Sequence, residues 1–157
     1  MAEVTAEMAD LGHLAHMLGR GIARPNAVEI VRSSDMSVAS ALHRTLVNSR
    51  DAITVLQDGC PVVMIGTIAG VLSGGEAFMW MTYTDDAMKS PVRFLKQSKR
   101  FFRYFTDRYN RLFNYSDAEH EAANRWLDWL GFKVDQANPV FLGAGKWPFY
   151  PFEWRAE

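Results

Sequence analysis

The sequence predicts an α/β (α+β) fold carried by a single domain over residues 1–157, with a mixed sheet at its centre. Three observations predict it. Strand-like runs at Ala52–Gln57, Cys60–Ala69 and Glu76–Thr84 follow one another with only turns between them, which makes an antiparallel meander. A long amphipathic helix runs from Pro91 to about Tyr109 behind the third strand. Strand-like Arg111–Tyr115 comes next, and a strand–helix–strand passage implies a parallel crossover.

Taken in order, residues 5–19 read as a helix. Thr5 caps it, Met8, Leu11, Ala15 and Leu18 face inward, and Gly19 or Gly21 ends it. His13 and His16 share a face, but two histidines without a third ligand do not make a metal site. Pro25 opens a short helical segment through Val31. Asp35 or Ser34 caps a further helix to about Asn48, with Val38, Leu42, Thr45 and Leu46 inward. Asp58-Gly59 joins the first two strands, because Gly tolerates positive φ in a two-residue hairpin loop. Ser73-Gly74-Gly75 turns into the third strand. Residues 117–130 form another helix, capped by Ser116-Asp117 and ended by Gly131; Ala122, Ala123, Trp126, Trp129 and Leu130 make its apolar side. Phe132–Val134 resumes as strand. Gly143-Ala144-Gly145 is a hairpin tip, and the aromatic limb Trp147–Trp154 packs over the sheet or offers a docking surface.

A chain of 157 residues buries roughly 70% of its unfolded surface, enough for a core without staples. The single cysteine, Cys60, excludes an internal disulfide framework, suits a reducing compartment, and reads as a small core residue. Residues 1–7 are acidic where a signal peptide would be basic, and the longest apolar run, Cys60–Leu72, is too short to span a bilayer. The expectation is a soluble, cytoplasmic protein with no membrane partner and, from ligand spacing, no metal. The net charge of −1 conceals a segregation: Lys89–Arg111 holds eight basic residues against one acid, Asp107. Such an imbalance suits an anionic ligand, an acidic partner or nucleic acid, or else a solvated helix face.

The segment Glu76–Arg111 concentrates the candidate chemistry. Ser90-Pro91 starts the basic helix, with the Ser hydroxyl free to cap and Pro losing nothing at the first position. Phe94, Leu95, Ser98, Phe101, Phe102, Phe105 and Tyr109 form its apolar stripe; Arg93, Lys96, Arg100 and Arg103 form another face. Free N–H groups and the helix dipole meet at the turn before it, which makes an anion site.

Three segments carry a family resemblance: Leu112-Phe113-Asn114-Tyr115, Arg125-Trp-Leu-Asp-Trp-Leu-Gly-Phe132 and Gly145-Lys-Trp-Pro-Phe-Tyr-Pro-Phe-Glu153. With the Asp58–Gly66 hairpin they resemble the small GNAT-fold, acetyltransferase-like proteins of tailed bacteriophages, often labelled internal virion proteins. The resemblance covers about residues 36–154. It implies the GNAT acyltransferase fold, with helices on both sheet faces. It also implies a splayed strand pair that admits the pantetheine of acetyl-CoA, with pyrophosphate on the N-terminus of the following helix. Lys89, Ser90 and Arg93 are then the phosphate candidates, Lys96 and Lys99 reach a 3′-phosphate or face water, and backbone near Met79–Met81 polarises the thioester. The chain departs from the pattern in three places. Asp85–Arg93 contains no glycine, Leu127 stands where a general-acid Tyr is usual, and His120 stands where the phage relatives often have Asn.

N-acetyl transfer needs a base, oxyanion donors and an acid. Glu76 is the candidate base, or a solvated turn residue; Tyr83 or Tyr115 is the candidate acid; His120 relays a proton or sits idle on an exposed helix. The expected partner is a host bacterial protein, either as acetyl acceptor in the host cytoplasm or as the target of a catalytically silent scaffold. A virion component is a third reading, and self-association is compatible with all three. Nucleic acid is the weakest, because the apolar stripe on residues 94–109 is better used as core.

Overall fold

The computed structural model describes residues 3–69 and 74–157. Strand β1 (Val4–Met8) leads into α1 (Leu11–Arg20), α2 (Arg24–Ser34) and α3 (Val38–Val47). Then follow β2 (Asp51–Gln57), β3 (Cys60–Ala69) and β4 (Glu76–Tyr83). A 3-10 turn over Asp85–Lys89 precedes α4 (Pro91–Thr106). The chain closes with β5 (Arg111–Asp117), α5 (Glu121–Leu130), β6 (Lys133–Val134), β7 (Val140–Leu142) and β8 (Trp147–Arg155). The strands form one mixed sheet in the order β1-β2-β3-β4-β5-β8-β6, with β7 also paired to β8. The meander and the parallel β4–β5 crossover are as expected from the sequence. Among the described residues, no helix is long and apolar enough to cross a membrane.

Helices cover both faces of the sheet. Phe101, Phe102 and Phe105 of α4 and Trp126, Leu127 and Leu130 of α5 pack with Val55, Val63 and Ile65 in the larger core. Leu14 and Met17 of α1 and Leu42 of α3 close on Met64 from the other side, with Trp80 against them. The alternation Val63/Met64/Ile65 is the period-two rule of a strand buried on both sides. Gly66 sits opposite Trp80 in the β3–β4 register, and the indole lies over it. A Cβ there would fall 2.6 Å from the indole ring.

Several boundaries differ from the sequence reading. The first segment is not one helix from Thr5: residues 4–8 pair antiparallel with β2, from Val4↔Gln57 to Met8↔Ile53. Glu3 and Asp58 exchange two further hydrogen bonds, so tertiary pairing overrides local helix propensity here. The cap of α1 is therefore Asp10, which accepts the His13 amide at 2.8 Å. Met8 and Leu11, expected inside, are exposed. Ser37, not Asp35 or Ser34, caps α3. Asp35 instead ends α2 in the left-handed region and holds the Ala144 amide of the β7–β8 loop. Residues 117–120 do not start α5, because β5 stays paired to β8 as far as Asp117↔Phe149. Cys60 is exposed rather than in the core. The aromatic limb is β8 itself, with Phe149 buried between β5 and β7 and Phe152 between β5 and β6. Ser73, the first residue of the expected turn before β4, lies outside the described residues, as do residues 70–72 of the longest apolar run.

The Trp80 contact gives a stability prediction. Gly66→Ala forces the indole aside, and overpacking of this kind costs about 1–3 kcal/mol. The urea midpoint should fall accordingly; an unchanged midpoint would show that the Trp80 ring yields freely.

Candidate functional site

The site is made where β4 and β5 part. They pair only over Glu76–Phe78 and Arg111–Phe113. The Phe78 and Phe113 rings lie tilted with centroids 4.3 Å apart, and Asn114 Nδ2 donates to the Met79 carbonyl at 2.9 Å. Beyond that rung β5 follows β8, with which it pairs over its whole length. The Met79 carbonyl points off β4 toward β5, and the Met81 carbonyl, on the same edge, accepts from Asn26 Nδ2 at 3.4 Å. A strand alternates its polar edge every second residue, so the Met81 and Tyr83 amides face the same gap.

A cleft of about 220 Å³ fills the gap. Its floor is Met79, Met81, Trp126, Leu127 and Phe152, and α2 and α3 wall its far side. At its polar end lies a buried chain of three side chains from three elements. Tyr83 Oη stands 3.0 Å from His120 Nε2, and His120 Nδ1 stands 3.2 Å from Glu29 Oε2. Glu29 Oε2 also accepts the Asp117 amide at 2.9 Å. The His120 side chain is 5% exposed and that of Glu29 21%. Burial pushes the Tyr83 hydroxyl up to about 12, with the charges of Glu29 and Asp85 adding to it.

The expected anion site is the start of α4. Pro91 has no N–H, and the Val92 and Arg93 amides precede the first intrahelical bonds. Ser90 makes no side-chain cap, so those amides stay open to a ligand. Ser90, Arg93, Lys96 and Gln97 line a shallow depression there. Among the described residues, no carboxylate lies within ion-pair distance of Arg93, Lys96 or Lys99; Lys99 sits over the Trp129 ring instead. Lys89 is committed elsewhere. Its Nζ is 2.7 Å from Asp86, which Arg20 also grips. Lys89 and Arg20 together hold the Asp86 carboxyl below its usual range.

The other sequence-derived candidates divide. Tyr83 and His120 come together, and His120 is buried rather than exposed on a helix. Tyr115 is half exposed and lines the cleft from β5. Glu76 stands apart at the paired end of β4, roughly 23 Å of strand from Tyr83, and faces Arg111 at 3.8 Å. Leu127 is buried in the floor and offers no proton. Sequence reading missed Glu29 and Asn26. Both lie in the segment read as helix from Pro25, three residues apart, and that polar spacing was the available signal. Among the described residues, no group of three or more His, Cys, Asp or Glu is placed to hold a metal ion.

No family model matches the sequence, and no curated protein matches it. Solved structures do match. An acetyltransferase of the GNAT family from Streptococcus pneumoniae superposes with a TM-score of 0.63 at 9% identity, covering 99% of this chain and 100% of that one. This is the GNAT fold. The ribosomal-protein-S18-alanine N-acetyltransferase of Escherichia coli gives 0.66 at 11% identity over 98% and 94% of the two chains. The spermidine N-acetyltransferase of Vibrio cholerae, solved with CoA and spermine, gives 0.67 at 11% identity over 97% and 95%.

Two titrations follow from the site. A phenol whose pKa rises on folding adds stability that is whole below the ordinary value of about 10 and is lost as pH climbs toward about 12. Wild-type protein should therefore lose more stability than Tyr83→Phe between pH 9 and 11 in urea melts; parallel losses would place Tyr83 in water. Asp86 has the opposite sign: its depressed pKa adds stability above the unfolded value of about 3.9 that fades as pH falls. The stability gap between wild type and Asp86→Asn should close between pH 7 and pH 3.

Proposed function

We propose that the protein is an acyl-CoA-dependent N-acyltransferase. The observation that carries this reading is the edge of β4 that β5 leaves after Phe78, running toward the N-terminus of α4, where Ser90 makes no side-chain cap. Thioester and diphosphate chemistry fit that geometry residue by residue. The Val92 and Arg93 amides and the Arg93 guanidinium suit a diphosphate, and a helix N-terminus supplies what the missing glycine loop does not. Lys96 lies one turn on, within reach of a further phosphate. Lys89 acts indirectly, by neutralising Asp86. The apolar floor of Met79, Met81 and Trp126 suits a pantetheine arm, and the Met81 and Tyr83 amides point where a thioester oxygen would gather charge. An amine arriving from the α2–α3 side then attacks the acyl carbon, and the thiol leaves.

A second reading has its own observation. Leu127 closes the place of the usual acid with hydrocarbon, as a scaffold that has given up chemistry would allow. In that reading the protein grips a host protein during phage infection. The phage setting itself rests on the sequence resemblance.

Isothermal titration separates the two. Wild type should bind CoA and acetyl-CoA, and Arg93→Glu should weaken both at least ten-fold while its melting temperature stays put. No heat from wild type at millimolar CoA would leave the scaffold reading, to be pursued by capture from bacterial lysate. Unchanged affinity in Arg93→Glu would move the diphosphate away from α4.

A further inference from the structure

The acceptor side of the cleft has an unusual charge inventory. Its α2–α3 wall is Asn26, Ile30, Ser33, Ser34, Leu42 and Thr45, and among the described residues no Asp, Lys or Arg lines the cleft. Among the described residues, Glu29 is its one carboxylate and His120 its one imidazole. The chain Glu29–His120–Tyr83 ends at the gap between the strands, beside the amides that face a thioester. We propose, resting on the transferase reading, that the acceptor is a small amine with one cationic nitrogen on an uncharged body. Its nitrogen is received at Glu29, and its proton is moved by Tyr83 and His120.

Hydrogen-bond roles give the relay its direction. Glu29 Oε2 accepts the Asp117 amide, so it presents lone pairs, and the donor toward it from His120 is Nδ1–H. A neutral ring so held has its lone pair on Nε2, where it accepts the Tyr83 hydroxyl. Tyr83 Oη keeps its own lone pairs free to accept from a ligand. Among the described residues, Glu29 Oε1 makes no hydrogen bond, and the side chain reaches the cleft, so one carboxylate oxygen remains for an ammonium. The charged groups around the chain are Glu29 on α2, Asp85 near Tyr83 and, past the Asp117 backbone, the pair Arg32–Asp117 with Glu119. Arg32 is held by both acids and by the Trp147 ring, and does not face the cleft.

The step balances within these groups. The ammonium sheds one proton to solvent at Glu29, and the neutral amine then moves to Tyr83 Oη, because the His120 ring stands between the two groups. As its nitrogen forms the bond to the acyl carbon, a second N–H proton passes to Tyr83 Oη, whose own proton passes to His120 Nε2. The C–S bond then breaks, Tyr83 gives a proton to the leaving sulfur, and His120 returns one to Tyr83. The products are the amide and the free thiol. A high pKa keeps Tyr83 protonated between turnovers, so it carries the proton without resting as a phenolate. Tyr83 thus takes the part that Leu127 cannot. One carboxylate also sets the acceptor class. A polyamine would bury further ammonium groups among serines and aliphatic chains, with no second carboxylate in the cleft lining to meet them.

The test uses the full chain with acetyl-CoA, reading thiol release against phenethylamine, tyramine, spermidine and glutamate. Either monoamine should be turned over with a kcat/KM at least ten-fold above spermidine and glutamate. Tyr83→Phe and His120→Asn should each lower kcat about 10²-fold with acetyl-CoA affinity within two-fold of wild type. Imidazole should restore part of the activity of His120→Ala. Glu29→Gln should raise KM for the amine more than that for acetyl-CoA. A preference for spermidine, no turnover of any amine by CoA-binding protein, or full kcat in Tyr83→Phe and His120→Asn would each overturn the relay while leaving the CoA site intact. Failure of wild type to bind CoA at all would overturn both.

Discussion

The parting of β4 from β5 is the constraint on which the rest of the molecule depends. Three residues of pairing hold the strands together, and then each follows its other neighbour: β4 stays with β3, and β5 stays with β8. A strand edge buried without partners leaves amides and carbonyls that cost free energy unless something satisfies them. The protein satisfies some itself, through Asn114 on the Met79 carbonyl and Asn26 on the Met81 carbonyl. The Ala23 amide meets the Tyr83 carbonyl at 2.9 Å in the same way.

Helix α2 is the clamp on that opening. Asn26, Glu29 and Arg32 fall three residues apart and so share one face. Asn26 accepts from Thr82 at 2.7 Å and ties the helix to β4. Glu29 ties it to His120 and the Asp117 amide, and Arg32 to Asp117 and Glu119. A helix with polar groups on its buried side spans the gap without filling it, where an aliphatic face would have closed the two strands into ordinary core. Gly143 lets the β7–β8 loop come against the end of the same helix: a Cβ there would lie 1.9 Å from the Arg32 carbonyl oxygen.

Charge segregation has a matching local logic. The basic residues of α4 read as one patch in the sequence, yet they act separately in space. Lys89 and Arg20 cancel Asp86, Lys99 rests on Trp129, and Arg93 stays open beside the helix start. The same helix buries Phe101, Phe102 and Phe105 on its other side, so the face available to an anion is narrow and close to the N-terminus.

The sequence by itself determined the meander, the Asp58-Gly59 hairpin, the α4 crossover and the β7–β8 hairpin. Each rests on chemistry within a few residues: Asp58 and Gly59 both sit at positive φ, and Gly131 ends α5 in the left-handed region. Tertiary structure alone decided that residues 4–8 are a strand, because only β2 supplies their partners, and that β5 runs on to Asp117, because β8 holds it there. It alone joined Glu29, His120 and Tyr83, which lie up to 91 residues apart in the chain. Period and propensity report a residue's own element; a constellation drawn from a helix, a strand and a loop exists only once the sheet has opened and α2 has been laid across the gap.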